Sequence, residues 1–307
     1  MGSLQAATAE RRIPAPLRRV PVWERVKRRT EALPFVAPAW VLVTAIGFIP
    51  LVYAVWLSLT NQSVYSPDHA YVGLRNYSDA VFDRSFLSAG LVTALFVVVG
   101  VTLQFVIAYL LATFLHMQLR GFKIMRTILL TPLMVTPVIV GLMFRFMFTS
   151  HVGIAYYAEK AIGLNPPWFT DATWAKVFVV MLDTWLTTPF MMLMLLAGMS
   201  SMPTEPIEAA SLDGANWWQR TRYIIMPALL PVVTVALLVR IVDTARMFDQ
   251  VYSSTRGGPG TSTLTVAILG YNQTFQYFQF GQGAAIAIAL TVLMSPVYFF
   301  YIRLTRV

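Results

Sequence analysis

The chain has 307 residues, 57% of them hydrophobic and only 12% charged, with no cysteine and a formal net charge of +9. Globular domains carry about 25% charged residues, so this composition excludes an ordinary soluble enzyme and points to an all-α integral membrane protein. The missing cysteines exclude disulfide frameworks and thiol chemistry. The basic excess sits beside apolar runs, which argues for membrane topology over nucleic-acid binding.

Residues 1–33 read as a basic cytoplasmic tail, holding Arg11, Arg12, Arg18, Arg19, Arg25, Lys27, Arg28 and Arg29. No small-residue cleavage site precedes the apolar run that follows, so the tail is expected to stay attached and to be mobile or lie along lipid. Residues 34–307 then read as one transmembrane domain. A spanning helix needs about 20 apolar residues. Six runs qualify: Phe35–Leu59, Phe86–His116, Ile124–Phe148, Val177–Met199, Ile224–Phe248 and Ala284–Leu304. Prolines inside these runs (Pro38, Pro50, Pro132, Pro137, Pro189, Pro231 and Pro296) predict kinks, whose freed carbonyls neighbouring helices can satisfy.

Residues 60–85 form an outer loop rich in turn formers, and 249–262, "DQVYSSTRGGPGTS", read as a glycine-rich outer turn. That turn lacks the lysine and the strand-to-helix setting of a phosphate-binding loop. Residues 262–280 are too polar for a seventh span and read as a re-entrant or surface element. The histidines His69, His116 and His151 are scattered, so the spacing predicts no metal cluster and no catalytic pair. Fifteen Lys or Arg in the tail, the even-numbered links and the C-terminus (Arg120, Lys123, Arg126, Arg220, Arg222, Arg303 and Arg306 among them) face four on the other side: Arg75, Arg84, Lys160 and Arg256. The positive-inside rule therefore puts both termini in the cytoplasm.

The cytoplasmic link at 201–222 contains "EAASLDGANWWQR". Ser201 and Thr204 offer N-caps, Pro203 and Pro206 suit a first helical turn, and Glu205 and Glu208 complement its positive end. Gly214 permits a sharp bend, and Trp217 and Trp218 suit the headgroup level. A short helix, a bend and a second helix are expected, built to receive a push from another surface. An ordinary interfacial loop is the plainer alternative.

The order Glu208-Ala209-Ala210, Asp213-Gly214-Ala215, nine residues between Gly214 and Ile224, and then Pro227 resembles the EAA loop. That loop marks permease subunits of bacterial binding-protein-dependent ABC importers, and this version is similar to that of carbohydrate permeases of the maltose-transporter MalF type. "TTPFMMLMLLAGMSSMP", "FDQVYSSTRGGPG" and "GQGAAIAIAL" extend the likeness over about 35–307. Members commonly carry an aromatic at Thr221 and leucine at Met226. The resemblance implies a type I importer permease fold in the bacterial plasma membrane, with the EAA coupling helix between spans four and five. It implies a second homologous permease, two ATP-binding cassette subunits that bind ATP and Mg, and an extracytoplasmic binding protein, free or lipid-anchored. It further implies that Glu208 faces the ATPase, that Gly214 holds the bend and that Asp213 braces it, with no bond chemistry in this chain.

Charges within spans are costly and should face protein or water. They are Arg145, Asp183, Arg240 and Asp243, with Arg246 near an outer end. Arg240 and Asp243 can pair along one helix face. Asp183, Leu186 and Phe190 share another face, as does Asp243 or Thr244 with Met247, so a path for a neutral saccharide is one reading. Laid on the maltose permease, Asp183, Leu186, Phe190, Asp243, Thr244 and Met247 fall on sugar-contacting positions, of which only Leu186 keeps its residue. The resemblance thus carries a location and not a particular sugar. Arg145, Arg240 and Arg246 keep an anionic, glycerol-phosphate-type substrate open. An ion-coupled secondary transporter using Asp183 or Asp243 is the reading from another class.

Overall fold

The computed structural model describes residues 22–66, 70–117 and 121–305. The tail arginines Arg11, Arg12, Arg18 and Arg19, together with His69, Arg120 and Arg306, lie outside the described residues. The architecture is all-α, in fourteen α-helices among the described residues. Five helical stretches are long and apolar enough to cross a membrane, or six if one sharply bent pair counts as a span.

The first helix, α1 (Val22–Ser58), runs through Pro34, Pro38 and Pro50 without a break, so the expected boundary at 33/34 falls inside a helix. Up to Tyr53 it forms a unit of its own, with Trp40, Val43 and Ile46 exposed. The remainder, from Ala54, is the second unit and carries all the sites described below.

In that unit α2 (Arg75–Val81) is tied to the end of α1, because Asn76 Nδ2 donates to the Ser58 and Thr60 carbonyls at 2.8 Å each. Helix α3 (Arg84–Leu95) is N-capped by Asp83, whose carboxylate accepts from Ser85 N–H, and it continues through a π turn into α4 (Val101–His116). The stretch expected as a third span is divided into α5 (Phe122–Leu130), a 3₁₀ turn, and α6 (Pro137–Phe148), with a bend of 99°. Pro132 sits in the 3₁₀ turn and Pro137 opens α6, so between them two backbone donors are missing where the helix turns. The expected kink is therefore a corner between two helices, which together can still count as the sixth span.

After α7 (Ile154–Ala161) comes α8 (Ala172–Ser200), N-capped by Asp171 and the most buried of the long helices. Then follow α9 (Glu205–Leu212), α10 (Trp217–Arg220), a π turn and α11 (Met226–Ala245). The segment expected as a plain turn from 249 begins instead with α12 (Asp249–Ser254), which packs on α6. Gly141 of α6 makes that approach possible, since a Cβ there would collide with Ser253 Oγ and the Gln250 carbonyl. Helix α13 (Val266–Tyr271) is no surface element: Val266 and Ile268 are buried, and Thr93 of α3 accepts the Val266 N–H at 3.1 Å. Helix α14 (Phe280–Thr305) is the last of the described helices.

Two apolar clusters make the core. One gathers Phe86, Phe96, Val140, Phe178, Leu182, Leu186, Met247 and Val251, and the other gathers Ala108, Ala112, Met191, Met192, Leu195 and Leu229. Helix α8 contributes to both.

Candidate functional site

Helices α9 and α10 form an elbow that follows α8 and precedes α11. Pro206 lies in the first turn of α9, and Glu205 and Glu208 stand at its positive end. Thr204 is the N-cap residue, but its side chain makes no capping bond, and Ser201 Oγ donates back to the Gly198 carbonyl. The bend is made by backbone. Gly214 has φ +80, and Ala215 N–H donates to the Ala210 carbonyl at 2.9 Å, closing α9 with a left-handed residue. Asp213 contributes its N–H, to Ala209 O at 3.0 Å, and its carboxylate has no hydrogen bond among the described residues.

Beyond the bend, Asn216 and Gln219 form a capping box at the start of α10. Arg220 reaches back across the elbow, with Nη1 donating to Ser211 Oγ at 2.7 Å. The two arms are therefore braced by a short polar strut. Glu208, Ala209, Asp213, Gly214 and Pro227 are exposed, and Ala210, Ala215 and Ile224 are half-buried. Leu212 is 90% exposed at the elbow's tip, and Trp217, Trp218 and Tyr223 are exposed beside it.

The second constellation lies inside the bundle, where four helices meet. The carboxylate of Asp183 on α8 accepts from Gln104 Nε2 of α4 at 2.7 Å and from Arg240 Nη2 of α11 at 3.4 Å, both on Oδ2. Its Oδ1 accepts from Gln250 Nε2 of α12 at 3.0 Å. Arg240 also donates through Nε to Gln104 Oε1 at 3.1 Å and through Nη2 to Thr244 at 3.0 Å. All five side chains are buried. Desolvated charges persist only when paired and hydrogen-bonded, and here each polar group answers another. Gln104 and Arg240 come from helices of the second apolar cluster, Asp183 and Gln250 from elements of the first, so the network pins one cluster to the other.

The residues expected to line a path divide in two. Asp183 and Thr244 belong to the network, and Leu186 and Met247 pack in the first apolar cluster. Phe190 and Asp243 are partly exposed. Arg240 does approach Asp243, at 3.9 Å, but Asp243 is held more closely by Arg246 at 2.6 Å. That exposed pair borders a groove of about 250 Å³ between α11 and α14, with Val242, Val297 and Tyr298. Arg145 turns elsewhere: its guanidinium donates to the Ser254 carbonyl at 2.7 Å and lies 5.9 Å from the Phe169 ring centroid.

Sequence reasoning missed Gln104, Gln250, Ser211 and Arg220. Gln104 is an amide in an otherwise apolar helix, a signal that was available, whereas Gln250 sits among polar residues of a short helix and gave none. The strut was not legible, because Ser211 and Arg220 are nine residues apart across a bend. Among the described residues no three His, Asp or Glu side chains gather as a metal site.

Residues 104–307 match the family model described as the inner membrane component of binding-protein-dependent transport systems. The chain is similar to the trehalose transport system permease protein SugA of Mycobacterium tuberculosis, 35% identical over 281 residues, which cover 91% of this chain and 90% of that protein. It is also similar to the trehalose/maltose transport system permease protein MalF of Thermococcus litoralis, at 33% over 272 residues, covering 88% and 92%. Among solved structures, a chain of a bacterial ABC transporter involved in the import of the acidic polysaccharide alginate superposes with a TM-score of 0.79. That match covers 92% of this chain and 98% of the other at 19% identity, a likeness of fold.

Proposed function

The chain belongs to the inner membrane components of binding-protein-dependent transport systems, and on that premise we propose that it forms half of the path through which an ATP-driven importer moves a carbohydrate. It is a non-catalytic permease subunit related to sugar permeases. In this reading the cargo is an oligosaccharide or related glycoside, handed over by an extracytoplasmic binding protein. A second permease completes the path, and two partner ATPases bind ATP and Mg. The protein sits in the bacterial plasma membrane with both termini in the cytoplasm.

The observation that carries the proposal is the elbow. A helix with two exposed acids, a bend in left-handed backbone and a braced second arm suit a rigid lever between two apolar helices. A partner ATPase would seat α9, with Glu208 against its basic or amide groups, and its closure would be passed through Gly214 and α10 into α11. The surface charges Asp243 and Arg246, with Phe190, are the path-lining candidates left partly open in this conformation. Asp183, closed by Gln104, Gln250 and Arg240, would hold the helices that carry them. Ion coupling through Asp183 would require that set to open.

The test is purification of the tagged chain from its native membrane, with partners identified by mass spectrometry and ATPase activity measured for wild type and Glu208→Ala. Recovery of a second permease and an ATPase, with hydrolysis weakened or uncoupled in the variant, supports the reading. A chain that purifies alone and moves solute without ATP overturns it.

A further inference from the structure

The end of the bundle opposite α9 holds a polar cavity that the transport reading does not use. Helix α8 runs toward α9, and α4 packs along it in the same direction, Ala108–Leu115 against Met191–Met199. The start of α3 and the loop after α12 therefore lie at the other end. There a cavity of about 420 Å³ is walled by Asp79 and Asp83, by Arg256, and by Gln273, Tyr277 and Gln282. Small-molecule sites commonly occupy about 300–1,000 Å³.

The lining is chemically mixed. Gln273 Nε2 donates to the side-chain carbonyls of both Gln279 and Gln282, so the amides are set in place before any ligand arrives. Asp83, tied to Ser85 by hydrogen bonds, has its carboxyl held below the usual carboxylate range and is thus kept as an acceptor. Arg256 has no side-chain hydrogen bond or ion pair among the described residues, and its φ of 54° is rare for a residue with a side chain. Such strained backbone persists where the surroundings enforce it and clusters at binding sites. Asn272, also in the wall, keeps an Oδ1 that is shielded from solvent without a partner.

Carboxylates accept from hydroxyls, amides do both, a guanidinium donates, and an exposed tyrosine ring offers an apolar face. Asp79 is already paired with Arg75 at 3.4 Å, which leaves one carboxylate, Asp83, against one guanidinium, Arg256, so the walls favour neither an anion nor a cation. We propose that this outer cavity binds one ring of a neutral, hydroxyl-rich ligand. That the ligand is the transported carbohydrate rests on the importer reading; that the cavity takes such a ring does not.

The natural absence of cysteine allows a direct test. Thr261→Cys and, independently, Ser85→Cys place a thiol at the exposed lip of the cavity, and Lys160→Cys serves as a distant control. Maleimide labelling rates are measured in membranes holding the complete importer, without ATP or binding protein, against the cysteine-free wild type. Trehalose, maltose and methyl glucoside are the probes, with betaine as osmotic control and inorganic phosphate as anion control. At about ten times its Kd a ligand leaves about one eleventh of sites free, so labelling at the lip should slow about tenfold while Lys160→Cys is unchanged. Gln282→Leu should abolish that protection without altering the unprotected rate. No protection of either lip thiol by any of the three sugars overturns the proposal, and protection by phosphate alone overturns it equally. Because the assay needs no turnover, its failure leaves ATP-driven uptake as a separate result. Protection in a protein that proves not to use ATP would retain the cavity and discard the importer.

Discussion

Arg240 on α11 reaches Asp183 on α8 at 3.4 Å, with both side chains buried, although the near-neighbour carboxylate Asp243 was available on Arg240's own helix. The choice is physical. Asp243 is partly in contact with solvent and is satisfied by Arg246, whereas Asp183 is enclosed and needs a cation together with amide donors.

Removing one member of that pair leaves the other as an uncompensated buried charge. Arg240→Met should cost about 3–5 kcal/mol of stability, and Asp183→Leu a similar amount. The double variant should recover a large part of the loss, because two desolvated charges disappear together. Thermal unfolding of all four proteins in one detergent completes the cycle; strictly additive losses would mean that the pair is not coupled.

The bend at Gly214 needs a left-handed residue, φ +80. Nothing crowds its Cβ position, so Gly214→Ala tests conformation alone. It should cost roughly 1–2 kcal/mol locally, and Gly214→Asn should be milder, since asparagine enters that region more easily. The expected readout is normal expression with reduced uptake per ATP hydrolysed, graded Gly, Asn, Ala. Equal uptake in all three would show that the angle of the elbow is not transmitted.

Asn216→Ala breaks the capping box and should cost about 1 kcal/mol at the head of α10. Arg220→Ala removes the strut to Ser211. Hydrogen exchange should quicken across 211–221 in either variant while α8 keeps its protection. Unchanged exchange across the elbow would mean that neither bond orders it.

At Gly141 any side chain meets Ser253 Oγ and the Gln250 carbonyl. Gly141→Leu should therefore force α6 from α12 and destabilise by about 1–3 kcal/mol, with Gly141→Ala less severe. The effect should extend to the Asp183 network, because Gln250 is its α12 member. A Leu variant that melts with wild type would show that the contact is loose.

Much of the fold was legible because hydropathy is a local property. Runs of about 20 apolar residues declare themselves wherever they lie, and the helical stretches recovered fall close to where the sequence placed them. The elbow was legible for a similar reason. Pro206, Glu208 and Gly214 each state a backbone requirement that depends on neighbours a few residues away. The exception is instructive: Pro132 and Pro137 announce a break in the third run, but prolines do not set an angle of 99°. That corner also depends on α6 packing against α12, through a glycine whose purpose shows only when the other helix is in view.

What tertiary structure decided is which charges are closed and which are open. Spacing along one helix offers Arg240 to Asp243, and the two do approach at 3.9 Å, but burial joins Arg240 more closely to a carboxylate 57 residues away. Facial periodicity groups Asp183 with Leu186 and Phe190, yet packing encloses the first two and leaves Phe190 partly exposed. The outer cavity draws its walls from α2, the loop after α12, the stretch after α13 and α14, so no single stretch of sequence holds it. Sequence carries what a residue demands of its own backbone and of the solvent. Only the fold decides which distant group meets that demand, because desolvation is a property of everything packed around it.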